Sequence, residues 1–119
     1  MKPFRFLDWE IYLSSQKLFH AVLKIVKTLP SEYRFEIGNQ MIRSSLSVIL
    51  NIAEGSGKKS DKELGRFLDI SLGSLYETRA ALDTLCLIGQ LSNDSASDIF
   101  RTIDEIARQI GGFKKTLDK

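Results

Sequence analysis

Apolar residues at helical spacing run through most of this chain. Between Asp8 and Leu29 they fall at Tyr12, Phe19, Val22, Leu23, Val26 and Leu29, the pattern of an amphipathic helix. Asp8 is placed to cap its start, and Pro30 ends it by removing a backbone donor and restricting Leu29. Residues Ser31 to Gly38 read as a turn or short irregular helix, followed by a second helix to about Glu54. The stretch "EGSGKKS" (Glu54 to Ser60) is an interhelical loop with a glycine stop. Ser60 with Glu63 forms a capping box for the third helix, each side chain satisfying the other's orphan N–H. That helix carries Leu64, Phe67, Leu68, Leu72, Leu75, Leu82 and Leu85 and finishes near Gly89. After the turn "LSNDSASD" (Leu91 to Asp98), a fourth helix aligns Ile99, Ile103, Ile106, Ile110, Phe113 and Leu117. Gly111-Gly112 inside it costs about 1 kcal/mol per glycine relative to alanine and predicts fraying of the last turns. Four helices with short connections and no alternating β-branched run predict an all-α, antiparallel up-down-up-down four-helix bundle in a single domain, residues 1–119.

The second helix departs from simple amphipathicity. In "RSSLSVILNIAEGSG", Leu46, Val48, Ile49, Leu50 and Ile52 suit a core, yet Arg43, Ser47, Asn51 and Glu54 recur at spacings of four, four and three. On a helix of 3.6 residues per turn these four form one polar stripe between apolar flanks. Buried polar groups need partners, so a facing polar surface is expected. The third helix offers Arg66, Asp69, Ser71, Ser74 and Glu77, and its Gly73 and Ser74 are small enough to admit another helix closely. A polar stripe between apolar flanks suits a helix that packs on its bundle on one side and on a neighbouring subunit on the other. Ion pairs buried inside a monomer contribute little net stability. The reading is therefore self-association, with Arg43, Ser47, Asn51, Glu54, Ser74 and Glu77 fixing register and specificity.

Composition narrows the function classes. The chain has 119 residues, 43% hydrophobic and 27% charged, as in an ordinary globular domain. Its 17 basic and 15 acidic residues leave a net charge of +2, too little for a dedicated nucleic-acid binder unless charge is segregated onto one face. Two stripes segregate it: Lys17, Lys24 and Lys27 with His20 between them on the first helix, and Arg101, Arg108 and Lys115 every seven residues on the fourth. Lys58, Lys59 and Lys62 crowd the loop after the second helix. Such surfaces suit RNA, DNA or ribonucleoprotein phosphates, although Asp98, Asp104 and Glu105 flank the fourth-helix stripe and mixed faces are commonly just solvated. The one histidine leaves no Glu-x-x-His metal pair and no catalytic triad, and "GSGKKS" lacks the spacing and the strand of a phosphate-binding loop. No catalytic, cofactor-binding or metal-ligating residue is assigned, and the expectation is a non-enzyme without a cofactor. Glu54 with Glu77 is the carboxylate pair an enzyme reading would need. Cys86 lies in an apolar helical run and reads as a buried, inert thiol. The start of the chain lacks a signal-peptide pattern and no apolar run reaches membrane length, which predicts a cytoplasmic protein without membrane contact.

The segments "RSSLSVILNIAEGSG" and "FLDISLGSLYET" together resemble a bacterial four-helix-bundle family named for reading frames within intervening sequences of 23S ribosomal RNA genes. The matching positions are Arg43, Ser44, Ser45, Ser47, Asn51, Ile52, Ala53, Glu54, Gly55, Gly73, Ser74 and Glu77. The opening "FRFLDWEIYLSSQKLF" and the "LP" before the second helix fit as well, so the resemblance spans nearly the whole chain. Val48 and Ile49 stand where the family more often carries a proline-containing step. The resemblance implies a bundle assembled into a ring-like homopentamer and no established enzymatic activity. It also implies kinship with accessory variability proteins of diversity-generating retroelements, basic pentamers that bind a reverse transcriptase and nucleic acid.

Overall fold

Pro30, the Ser60 cap and Gly89 mark the three connections between long helices where the sequence places them. The structure, a computed structural model, describes residues 3–117, and among them it holds helices and no strands. Four long helices form an elongated bundle of 46 × 22 × 20 Å: α1 (Glu10–Thr28), α2 (Asn39–Ser56), α3 (Asp61–Leu87) and α4 (Asn93–Leu117). A 3-10 turn, Arg5–Asp8, precedes α1. One helical turn (Ser31–Tyr33) and a π-helical stretch (Arg34–Gly38) lead into α2. Helix α2 packs on α1 and α3, and α4 packs on the same two from the other side.

Leu29 is extended ahead of Pro30 (φ −76°, ψ 143°), as the proline demands. Ser60 Oγ accepts the Glu63 backbone N–H at 3.1 Å, while the Glu63 carboxylate turns to Arg66 and leaves the capping box half made. At the end of α3, Gly89 takes the left-handed conformation (φ +77°). Its N–H reaches Cys86 O and the Gln90 N–H reaches Leu85 O, the two bonds of a Schellman cap.

The core is formed by Ile11, Leu18, Val22, Val26 and Leu29 of the first segment, Met41, Val48 and Ile52 of α2, Leu64, Leu68, Leu75, Leu82 and Leu85 of α3, and Ile99, Ile103, Ile106 and Ile110 of α4. Several expectations need correction. Asp8 does not cap α1: it completes the 3-10 turn, and Trp9 occupies the cap position without a side-chain bond. The buried face of α1 is centred on Ile11, Leu18 and Val22, which leaves Tyr12, Phe19 and Leu23 half-buried at its edge. Ser15 lies on that buried face and donates to Ile11 O at 2.6 Å, so burial leaves its hydroxyl satisfied. Leu50, assigned to the core by its apolar character, is 54% exposed. The last turns of α4 stay helical through Gly111-Gly112 to Leu117. They are held by Phe113 against Trp9 (ring centroids 4.7 Å apart) and by the Lys114–Asp69 ion pair to α3. Cys86 is half-buried rather than enclosed.

Candidate functional site

The expected polar stripe divides in two. Its inner part is a seam of small hydroxyl residues between α2 and α3. Ser44 Oγ and Thr78 Oγ1 share a hydrogen bond of 2.7 Å, Ser47 Oγ and Ser74 Oγ one of 2.8 Å, and Ser71 Oγ donates to Val48 O at 2.9 Å. Asn51 donates to Ser47 Oγ at 3.0 Å, so the Ser47 hydroxyl links Asn51 to Ser74. Short side chains allow this closeness. At Gly55 the two helices approach until an added Cβ would sit 2.8 Å from Phe67 Cβ. Ser47, Asn51 and Ser74 are thus brought together as expected. Ser44, Ser45 and Thr78 were missed as interior polar residues, although Ser44 and Ser45 share helical spacing with Met41, Val48 and Ile52, a signal that could have found them.

The outer part faces solvent. Arg43 and Glu54 are exposed on α2 and Glu77 is exposed on α3. Arg43 has no hydrogen bond or ion pair among the described residues. Glu54 meets Lys58 of the following loop at 3.9 Å, and Glu77 accepts a 3.3 Å bond from Gln40. Arg66 and Asp69 do not face α2 as expected: Arg66 pairs with Glu63 at 3.2 Å, and Asp69 pairs with Lys114 of α4. Among the described residues nothing lies within 4 Å of a Cβ built at Gly73, so no other described helix packs there. With Leu50 54% and Ile70 41% exposed, one side of the α2–α3 pair presents apolar residues, open space and an unpaired cation together.

The carboxylates an enzyme reading would need are not convergent. The Ser44–Thr78 bond sets Glu77 level with Arg43, and Glu54 lies 11 residues further along α2, roughly 16 Å away at 1.5 Å per residue. Among the described residues no group of three or more His, Cys, Asp or Glu is arranged to hold a metal ion. No helix of these residues is long and apolar enough to cross a membrane.

The basic stripes are exposed. Lys17, His20, Lys24 and Lys27 point to solvent along α1, and none has an ion pair among the described residues. Lys17 and His20 share a hollow between α1 and α4 with Glu10 and Glu105, which dilutes the positive field there. On α4, Arg101 is held by Asp98 at 3.1 Å, whereas Arg108 and Lys115 are exposed and unpaired among the described residues.

The residues that carry the seam and its outer face fall inside a stretch, residues 7–112, that matches the family described as 23S rRNA-intervening sequence protein. The chain belongs to that family. No curated protein matches it. The structure is similar to the crystal structure of a protein of unknown function from the S23 ribosomal protein family of Bacteroides thetaiotaomicron. The two share 22% identity and a TM-score of 0.82 over 88% of this chain and 98% of that one, a likeness in fold. Nothing in family or neighbour indicates an enzymatic activity.

Proposed function

We propose that this member of the 23S rRNA-intervening sequence family is a self-associating helical bundle that acts as a non-enzymatic scaffold or adaptor in the cytoplasm. Its helices run up-down-up-down, and its copies form a closed ring, with five copies as the number the family resemblance implies. The antiparallel order is supported by the seam, where partners rise along α2 as they descend along α3 (Ser44 with Thr78, Ser47 with Ser74, Val48 with Ser71). The observation that carries self-association is the outer α2–α3 side, where Leu50 and Ile70 are exposed beside open Gly73 and unpaired Arg43. Exposed apolar residues gathered with an unpaired cation and open space on one side support a surface that packs on another copy. Light scattering behind size exclusion, at low and high salt, tests this. A discrete mass of several times 13.5 kDa at both supports it, and a 13.5 kDa monomer at both rejects it.

A second reading is favoured by the exposed, unpaired Lys17, Lys24 and Lys27 on α1: an accessory protein that holds RNA, DNA or a ribonucleoprotein through phosphate contacts. Arg101, Arg108 and Lys115 form its second stripe. Filter retention of RNA or DNA at low salt, lost on changing either trio to glutamine, is the expected result. Retention unchanged by both triple substitutions rejects these surfaces.

A further inference from the structure

Resting on the self-association proposed above, the geometry points to the surfaces by which two copies meet: the outer stripe of α2 in one copy lies against the outer stripe of α3 in the next. The α2 stripe is Arg43, Leu50 and Glu54, exposed, with Ser47 on the same line but half-buried and turned into the seam. The α3 stripe is Arg66, Ile70, Gly73 and Glu77. Both step by four, three and four residues, so each is a straight line along its helix surface.

Register decides the pairing. Within one chain the seam sets Ser47 level with Ser74, Ser44 with Thr78 and Val48 with Ser71. Rotation about an axis along the bundle leaves every height unchanged, so α2 of one copy meets α3 of the next in the same register. Arg43 then faces Glu77, Ser47 faces Gly73, Leu50 faces Ile70, and Glu54 faces Arg66. Every row is complementary. The ends pair opposite charges in inverted order, the third row joins two exposed apolar side chains, and the second sets a serine against open space.

The single chain leaves these groups poorly used. Arg43 has no partner among the described residues, and Glu77 has only the 3.3 Å bond from Gln40. Glu54 and Arg66 hold exposed local pairs, with Lys58 of the following loop at 3.9 Å and with Glu63 at 3.2 Å, of a kind that contributes little and exchanges readily. The contact joins two different surfaces, so it repeats head to tail, and the rotation about the bundle axis assumed above is what makes the repeat a ring and not a filament. A two-fold contact between α2 helices sets Arg43 against Glu54 but leaves Ile70, Gly73 and Glu77 uncovered, and so uses half of the complementary surface.

The test uses the full chain with R43E, E77R, L50D and the double variant R43E/E77R, with mass followed by light scattering through a dilution series. Circular dichroism checks that each variant keeps its helix content. Each single substitution is expected to raise the concentration of half-dissociation at least tenfold, and R43E/E77R to return it to within about threefold of the unsubstituted protein. An assembled parent protein with R43E, E77R and L50D all unshifted overturns this surface and leaves self-association standing, as does a double variant no better than its parents. A parent protein that is monomeric throughout overturns self-association itself, and this contact with it.

Discussion

Gly55 is the point where the bundle tolerates least. A methyl group added there would lie 2.8 Å from Phe67 Cβ, 3.0 Å from Leu64 Cδ1 and 3.5 Å from Leu64 O. Phe67 Cβ is fixed to the α3 backbone, so relief requires α2 and α3 to separate, and that stretches the Ser71–Val48 and Ser47–Ser74 bonds nearby. Overpacking of this kind costs about 1–3 kcal/mol. Alanine recovers about 1 kcal/mol of helix propensity in a helix interior and only part of that at Gly55, one residue from the end of α2, so Gly55→Ala is expected to lose about 1–2 kcal/mol net. Gly112→Ala is the matched control: it lies inside α4, exposed, with nothing within 4 Å of its added Cβ, and is expected to gain about 1 kcal/mol. Urea melts followed by far-ultraviolet circular dichroism, at one protein concentration, should show the two midpoints displaced in opposite directions with unchanged slopes. In thermal melts the same changes amount to roughly 4–8 °C downward and 4 °C upward. If Gly55→Ala melts with or above the parent protein, the close approach of α2 and α3 at this glycine is not what holds the seam.

Two local predictions follow from the chain reversals. Ser60→Ala removes the oxygen that accepts the Glu63 N–H and should cost about 1 kcal/mol by urea melt, with Ser60→Asp retaining most of the parent stability. Gly89→Ala places a side chain at φ +77° and should cost about 1–2 kcal/mol, while Gly89→Asn recovers part of that loss.

What was legible in the sequence was legible because it is local. Pro30 dictates the conformation of Leu29, Ser60 its own cap, and Gly89 its own left-handed turn, whatever packs around them. The isoleucines of α4 stand out because the rest of that helix is polar, and all four are buried. Helix α1 was harder: Phe19 and Leu23 lie beside Leu18 and Val22, and which of two adjacent apolar residues faces inward is settled by neighbouring helices. The same reason moved Leu50 out of the core. In the candidate site, the period of Arg43, Ser47, Asn51 and Glu54 was readable, but its division was not. Ser47 and Asn51 turn into the seam because Ser74 is there to receive them, while Arg43 and Glu54 find no acceptor or donor on α3 of their own chain. Asp69 was assigned to the wrong neighbour, since α4, with Lys114, is equally close in space and invisible in local spacing, while Arg66 pairs with Glu63 on its own helix.

The most direct measurement of the central claim is disulfide trapping between two chains, one carrying Leu50→Cys and the other Ile70→Cys, each with Cys86→Ser to remove the native thiol. Mixed under mild oxidation, the two should give a strong non-reducing band at twice 13.5 kDa that neither chain gives alone. A mixture no richer in that band than its separate components would contradict the account, because α2 of one copy would then not lie against α3 of the next.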